Sequence, residues 1–110
     1  MAMRAIKWKL VFAAASLLYG SSAWAQQTIE GEGRALAVKT CSACHSIEKD
    51  DGPSKTPAAP AFSAIAAMPS ATLLSLRVFL RSHHTDMPAI VLTDDQISAI
   101  SEYILDFRAK

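Results

Sequence analysis

Cys41, Cys44 and His45 carry the clearest chemistry in the sequence. They form a C-x-x-C-H pattern that uses both cysteines of the 110-residue chain. Positions i, i+3 and i+4 share one face of a helix, so two thiols and an imidazole would face the same side. The pattern predicts covalent attachment of one c-type haem, with thioether bonds to both cysteines and His45 bound to the iron.

Three other uses of the two cysteines fit the sequence less well. A thioredoxin-like redox pair requires a βαβ context, and no segment alternates convincingly as a strand. A zinc site requires a second ligand pair, and the adjacent His83 and His84 lack the usual histidine spacing. A disulfide between Cys41 and Cys44 would close a very small loop and stabilise the fold little.

A haem that carries electrons usually takes a methionine as its second axial ligand. Outside the N-terminal leader described below, the methionines are Met68 and Met87, and each precedes a proline. Met87 lies in a loop before the last predicted helix, from which it can reach the haem face opposite His45, and Pro88 would stiffen that loop. We predict that Met87 is the ligand and that Met68 is a core residue.

Two alternatives to Met87 remain open. His83 or His84 would give bis-histidine coordination and a lower reduction potential, although adjacent histidines at a helix end are more often solvated. An iron without a sixth ligand would keep an open position for a gas or a peroxide. The protein would then be a haem peroxidase or a gas-binding protein.

Residues 1–25 are predicted to be a cleavable secretory signal peptide. Three basic residues precede an apolar stretch over 10–19, and the small residues Ala23 and Ala25 follow it. We predict cleavage between Ala25 and Gln26 and export to the periplasm. The apolar stretch is shorter than the roughly 20 residues of a membrane span, so we expect no span after cleavage. The basic residues are Arg4, Lys7 and Lys9.

Removal of the leader changes the charge and the aromatic content of the chain. The whole sequence has a net charge of +1, whereas residues 26–110 keep eight basic and ten acidic residues, a net charge of −2. Such a domain has no basic field for nucleic acid. Four large aromatic rings are few for the core of an 85-residue domain. Domains of this size often need an additional stabilising element such as a disulfide or a metal, and the haem would supply it. The rings are Phe62, Phe79, Tyr103 and Phe107.

Three segments have the apolar spacing of helices. The first covers residues 29–46, and the second covers residues 70–81 with Ser70 as its N-cap. The last helix begins with a capping box formed by Thr93 and Gln96. Ile97, Ile100, Ile104 and Phe107 would form the buried face of the last helix, with Tyr103 beside them. The proline-rich region over 47–69 shows no clear period, and so long a loop suggests that it wraps a group that is not protein. We predict an all-α fold with three main helices and long loops around the haem.

The mature chain resembles the class I monohaem cytochromes c of the small soluble bacterial type over essentially its whole length. Gly33 stands where this family places a small residue so that its first and last helices can cross closely. Ile100 and Tyr103 match the positions that meet this residue. At Ala37, four residues before the first cysteine, the family usually has an aromatic residue.

The resemblance also implies how the proximal histidine is held. The family has a proline after the haem motif whose neighbouring carbonyl accepts a hydrogen bond from that histidine. Pro60 matches this position, with Pro57 as a competitor, and the bond would orient His45 and strengthen it as a donor to the iron.

As a function, the resemblance implies a one-electron carrier and not an enzyme. The expected protein is a periplasmic monomer with one haem c, ligated by His45 and Met87, that exchanges electrons with redox partner proteins. A dedicated subunit of a periplasmic dehydrogenase or oxidase complex would share the same sequence features, so this alternative remains open.

Overall fold

The computed structural model describes residues 21–82 and 86–109. Its regular elements are four helices: α1 (Ser21–Thr40), α2 (Phe62–Ala67), α3 (Leu73–Arg81) and α4 (Asp94–Asp106). The all-α prediction is therefore confirmed, and each of the three predicted helices is present. No helix within the described ranges is long and apolar enough to cross a membrane. Most of the predicted signal peptide lies outside the described residues, and its predicted cleavage point falls within α1.

Helices α1 and α4 cross closely at Gly33. A Cβ atom at this position would overlap the main-chain carbonyl of Ala99 and would lie 2.8 Å from the Cβ of Tyr103. Interiors are packed too densely to accept such an atom without displacing a neighbour. The crossing expected from the family resemblance is therefore confirmed, and it requires glycine for its lack of a side chain.

The hydrophobic core lies where the end of α1, the segment after it and the three later helices meet. The predicted buried face of α4 is confirmed for Ile97, Ile100 and Ile104, which are at most 3% exposed, whereas Phe107 is only partly buried. Ala37 is also fully buried in this core. The core cluster consists of Ala37, Cys41, Ile47, Phe62, Ala66, Leu76, Ile100, Tyr103 and Ile104.

Helix α1 ends at Thr40, six residues earlier than predicted. The hydroxyls of Thr40 and Ser42 donate to the carbonyls of Leu36 and Val38, at 2.7 and 2.6 Å. The amide of Ser42 bonds to the carbonyl of Ala37, five residues earlier and not four. Side-chain hydroxyls thus satisfy carbonyls at the helix end, which lets the chain leave the helix before the haem motif.

The start of α3 also differs from the prediction. Thr72, and not Ser70, is its N-cap, because Thr72 and Ser75 form a reciprocal capping box. The Ser75 amide donates to the Thr72 hydroxyl at 3.1 Å, and the Ser75 hydroxyl accepts from the Thr72 amide at 2.8 Å. The capping box predicted at Thr93 and Gln96 before α4 is confirmed.

The proline-rich region over 47–69 contains a helix that the sequence did not predict, α2. Ahead of it, the chain folds on itself through Ser46, whose amide donates to the Ser54 hydroxyl at 2.9 Å and whose hydroxyl donates to the Gly52 carbonyl at 2.8 Å. Gly52 has a φ of 69°, a conformation that glycine adopts without steric cost. The region is thus a folded loop that ends in a short helix.

Candidate cofactor site

The C-x-x-C-H motif forms a separate turn directly after α1. The amides of Cys44 and His45 both donate to the carbonyl of Cys41, at 3.1 and 2.9 Å. This single helical turn brings the three residues to one side, as their spacing predicted, although α1 itself does not continue through them. All three side chains line one cleft.

The cleft beside this turn has a volume of about 960 Å³. This places it near the upper end of the range for cofactor and ligand sites, about 300–1,000 Å³. Its walls come from the motif, from the loop and helix that follow, from α3, from residues 86–88 and from α4. The large apolar side chains among these walls include Phe62, Ile65, Leu76, Phe79, Ile100 and Ile104.

The lining of the cleft fits a large apolar group. Met68 and Phe79 both line it, and they are 44% and 50% exposed. Fully burying a large apolar side chain is worth about 1.5–3 kcal/mol, and a planar macrocycle bonded to Cys41 and Cys44 would cover the part of each side chain that is still exposed. The residues present therefore fit a covalently attached haem.

The ring of His45 is held on its Nδ1 side. Nδ1 lies 2.7 Å from the carbonyl oxygen of Pro60, and the ring centroid lies 5.7 Å from that of Phe62. A carbonyl only accepts hydrogen bonds, so Nδ1 donates its proton to it, and Nε2 is the ring nitrogen left to bind a metal. Of the two prolines left open by the sequence, Pro60 is the one whose carbonyl lies at this distance from His45.

Two main-chain hydrogen bonds bring the Pro60 loop back to the motif. The amide of Thr56 donates to the carbonyl of Cys44 at 3.2 Å, and the amide of Phe62 donates to the carbonyl of Ser46 at 2.9 Å. These bonds tie both sides of the loop to the residues that flank His45. The position of the Pro60 carbonyl is thus set by main-chain pairing.

Both candidate methionines line the cleft. Met87 is partly buried, and it also borders a second, smaller cavity together with Cys41 and Leu80. Met68 follows the end of α2 at Ala67 as its C-cap and lines the cleft outside the buried core cluster, so the prediction that it is a core residue is not confirmed. The alternatives His83 and His84 lie outside the described residues.

Residues 29–104 match the family model described as cytochrome C oxidase, cbb3-type, subunit III. The chain belongs to this cytochrome c family. The matched range contains the haem motif, Pro60 and both methionines. No curated protein and no solved structure matches the chain significantly. A cytochrome c domain implies covalently bound haem c, electron transfer through that haem and partners that exchange its electrons.

The two thiols of this cytochrome lie in different environments. Cys41 is buried, and burial raises the pKa of its thiol, while the Thr40 hydroxyl 3.3 Å away acts in the opposite direction. Cys44 is partly exposed, and no disulfide joins it to Cys41. Cys44 is therefore the more accessible of the two sulfurs.

A polar cluster fixes the chain just after His45, and sequence reasoning missed it. The Tyr103 hydroxyl donates to the carbonyl of Ile47 at 2.9 Å and lies 3.2 Å from Oε2 of Glu48. Oε1 of Glu48 pairs with Nε of Arg34 at 2.6 Å. Burial, and then the nearby Glu48 carboxylate, raise the pKa of Tyr103 to about 12. The cluster links α1, the segment after the motif and α4, which are far apart in the sequence.

Proposed function

We propose that this cytochrome is an exported one-electron carrier, with haem c bonded to Cys41 and Cys44 and with His45 and Met87 as the axial ligands of its iron. The observation that carries the proposal is that all four side chains line the same apolar cleft. When bound there, the haem supplies an Fe(II)/Fe(III) couple.

His45 and Met87 would stay bound in both oxidation states, so no ligand has to enter or leave when an electron arrives. The Pro60 carbonyl holds the His45 ring in one orientation and strengthens it as a donor. The Met87 thioether favours Fe(II), and the apolar walls disfavour the additional charge of Fe(III). The thioether ligand and the apolar walls thus both raise the reduction potential.

The choice of Met87 over Met68 rests on its surroundings. Met87 borders a cavity of about 40 Å³ with Cys41, the first residue of the haem motif, and it lies in the non-helical segment before α4. Met68 is the C-cap of α2, and its carbonyl accepts a hydrogen bond from Arg108 at 2.8 Å. The main chain of Met68 is therefore fixed from two sides at the end of a helix, whereas Met87 lies outside the helices.

The proposal places the mature domain, residues 26–110, in the periplasm. The basic start, the apolar stretch and the small residues of the leader support export. The match to the family begins at residue 29, just after the proposed cleavage point. Sequencing the N-terminus of protein recovered from the periplasm would test this, and an intact leader would contradict it.

Spectroscopy of the wild-type holoprotein tests the ligand set. The oxidised protein should show the near-infrared band of methionine-bound haem, and the reduced protein should not bind carbon monoxide. Rapid binding of carbon monoxide would instead show an open sixth position. The carrier proposal would then fail in favour of a peroxidase or a gas-binding protein.

A second candidate function is that of an electron-transfer subunit in a respiratory oxidase. The description of the matched family, an oxidase subunit, favours it. Native electrophoresis of periplasmic and detergent-solubilised membrane fractions, stained for haem, separates the two. A free carrier should migrate as a monomer in the periplasmic fraction, whereas a subunit should comigrate with oxidase activity.

A further inference from the structure

Arg108, just after α4, binds three main-chain carbonyls of one short segment. Its Nε atom donates to the carbonyl of Ala66 at 2.5 Å, and its Nη2 atom donates to those of Met68 and Ala71 at 2.8 and 2.6 Å. These carbonyls lie at the end of α2 and in the turn after it. Carbonyls at a helix end lack partners within the helix, and a cation is favourable there.

The segment that Arg108 binds is a wall of the haem cleft. Ile65, Met68 and Ala71 all line the cleft. Within the segment, the amide of Met68 donates to the carbonyl of Ile65 at 3.1 Å, and the amide of Ala71 donates to the carbonyl of Met68 at 3.0 Å. These bonds are local, whereas Arg108 joins the segment to the end of α4. Hydrogen bonds from a charged donor are roughly twice as strong as neutral ones.

We propose that Arg108 is a positioning residue for the haem. Through the main chain of residues 66–71, it holds the wall that carries Met68 against the cofactor and keeps water from that side. Exclusion of water disfavours Fe(III) and so keeps the reduction potential high. The inference rests on the proposed haem-based electron transfer.

The test compares R108K and R108A with the wild-type holoprotein. R108A removes all three hydrogen bonds, so amide exchange at Met68 and Ala71 should become at least about tenfold faster. Its reduction potential should fall. R108K keeps the charge but replaces the planar fork with one ammonium group, so both readouts should lie between those of the wild type and R108A.

Arg81 offers a matched control. Its Nη2 atom pairs with the carboxylate of Asp94 on the surface, and half of its side chain is exposed. R81A removes the same charge without touching the wall, so amide exchange at Met68 and Ala71 should match that of the wild type. Its potential should change less than that of R108A.

Several results would overturn the role of Arg108. One is an R108A protein with lower thermal stability but unchanged potential and exchange, because that is a structural role alone. Another is an R108K protein equal to the wild type in both readouts, since charge alone would then suffice. If R108A does not accumulate with haem, R108K decides the matter. Wild-type protein without haem would refute the proposed function instead.

Discussion

The Nδ1 atom of His45 lies 2.7 Å from the carbonyl oxygen of Pro60, which is 15 residues later in the chain. The contact joins the haem motif to a loop that otherwise has little regular structure. Because the carbonyl fixes which ring nitrogen carries the proton, it also fixes which one faces the cofactor. In the proposed ligand set, the bond therefore links the path of the loop to the properties of the iron.

Replacing Pro60 should change the reduction potential. P60A keeps the carbonyl but loosens the loop, so the bond to His45 weakens and the imidazole becomes a poorer donor to Fe(III). We expect the potential to rise by up to about 40 mV, the one-electron equivalent of about 1 kcal/mol. P57A is the control. Redox titration checks both variants, and equal shifts in the two would contradict the role of Pro60.

The two methionines of the cleft should behave differently when truncated. M87A should open the iron, lower the reduction potential, abolish the near-infrared band and allow carbon monoxide to bind. M68A should keep the band, because the proposal gives Met68 no bond to the iron. Absorption spectra of both oxidised variants provide the test. A band lost in M68A and kept in M87A would make Met68 the ligand.

Two glycines of α1 make a matched pair for the helix crossing. G33A places a methyl group against Ala99 and Tyr103 of α4, so we expect it to destabilise the fold by about 2–4 kcal/mol. G31A meets no atom within 4 Å and should stabilise α1 by up to about 1 kcal/mol. Urea unfolding measures both. A G33A protein as stable as G31A would show that the helices do not cross there in solution.

Tyr103 should make stability depend on pH in the alkaline range. The pKa of a tyrosine is ordinarily 10, and that of Tyr103 is about 12 in the folded protein, so between these pH values the unfolded state binds fewer protons. The free energy of unfolding therefore falls as pH rises, by at most about 1.4 kcal/mol per pH unit. The contribution is complete below pH 10 and is lost as pH rises through 12.

Y103F checks this assignment. It loses the hydroxyl bonds to Ile47 and Glu48, so it should be less stable than the wild type at pH 8 by about 1–2 kcal/mol. Between pH 10 and 12, its free energy of unfolding should fall less steeply than that of the wild type. Urea unfolding across this range gives both slopes, and parallel slopes would exclude Tyr103 as the titrating group.

The features that the sequence predicted correctly depend on neighbouring residues. The turn of the C-x-x-C-H motif, the capping box at Thr93 and the buried face of α4 all follow from residues at most a few positions apart. The early end of α1 is also local, but it depends on the hydroxyls of Thr40 and Ser42, whose preference for helix carbonyls competes with a periodic apolar pattern.

The features that the sequence did not predict depend on contacts across the fold. Arg108 reaches carbonyls that are 37 to 42 residues earlier, and Tyr103 reaches Ile47 across 56 residues. Every residue has the same main-chain carbonyl, so no sequence pattern shows which carbonyl will accept a hydrogen bond from a distant side chain. The position of Met68 depends on the short helix α2. Its six residues show no clear apolar period, so the sequence did not predict this helix.

Intact-mass measurement of the exported protein under denaturing conditions tests the central claim, covalent attachment of one haem to this domain. The account predicts the mass of residues 26–110 plus one haem, and loss of that haem from a variant in which Cys41 and Cys44 are both alanine. A denatured wild-type protein with the mass of the polypeptide alone would contradict it.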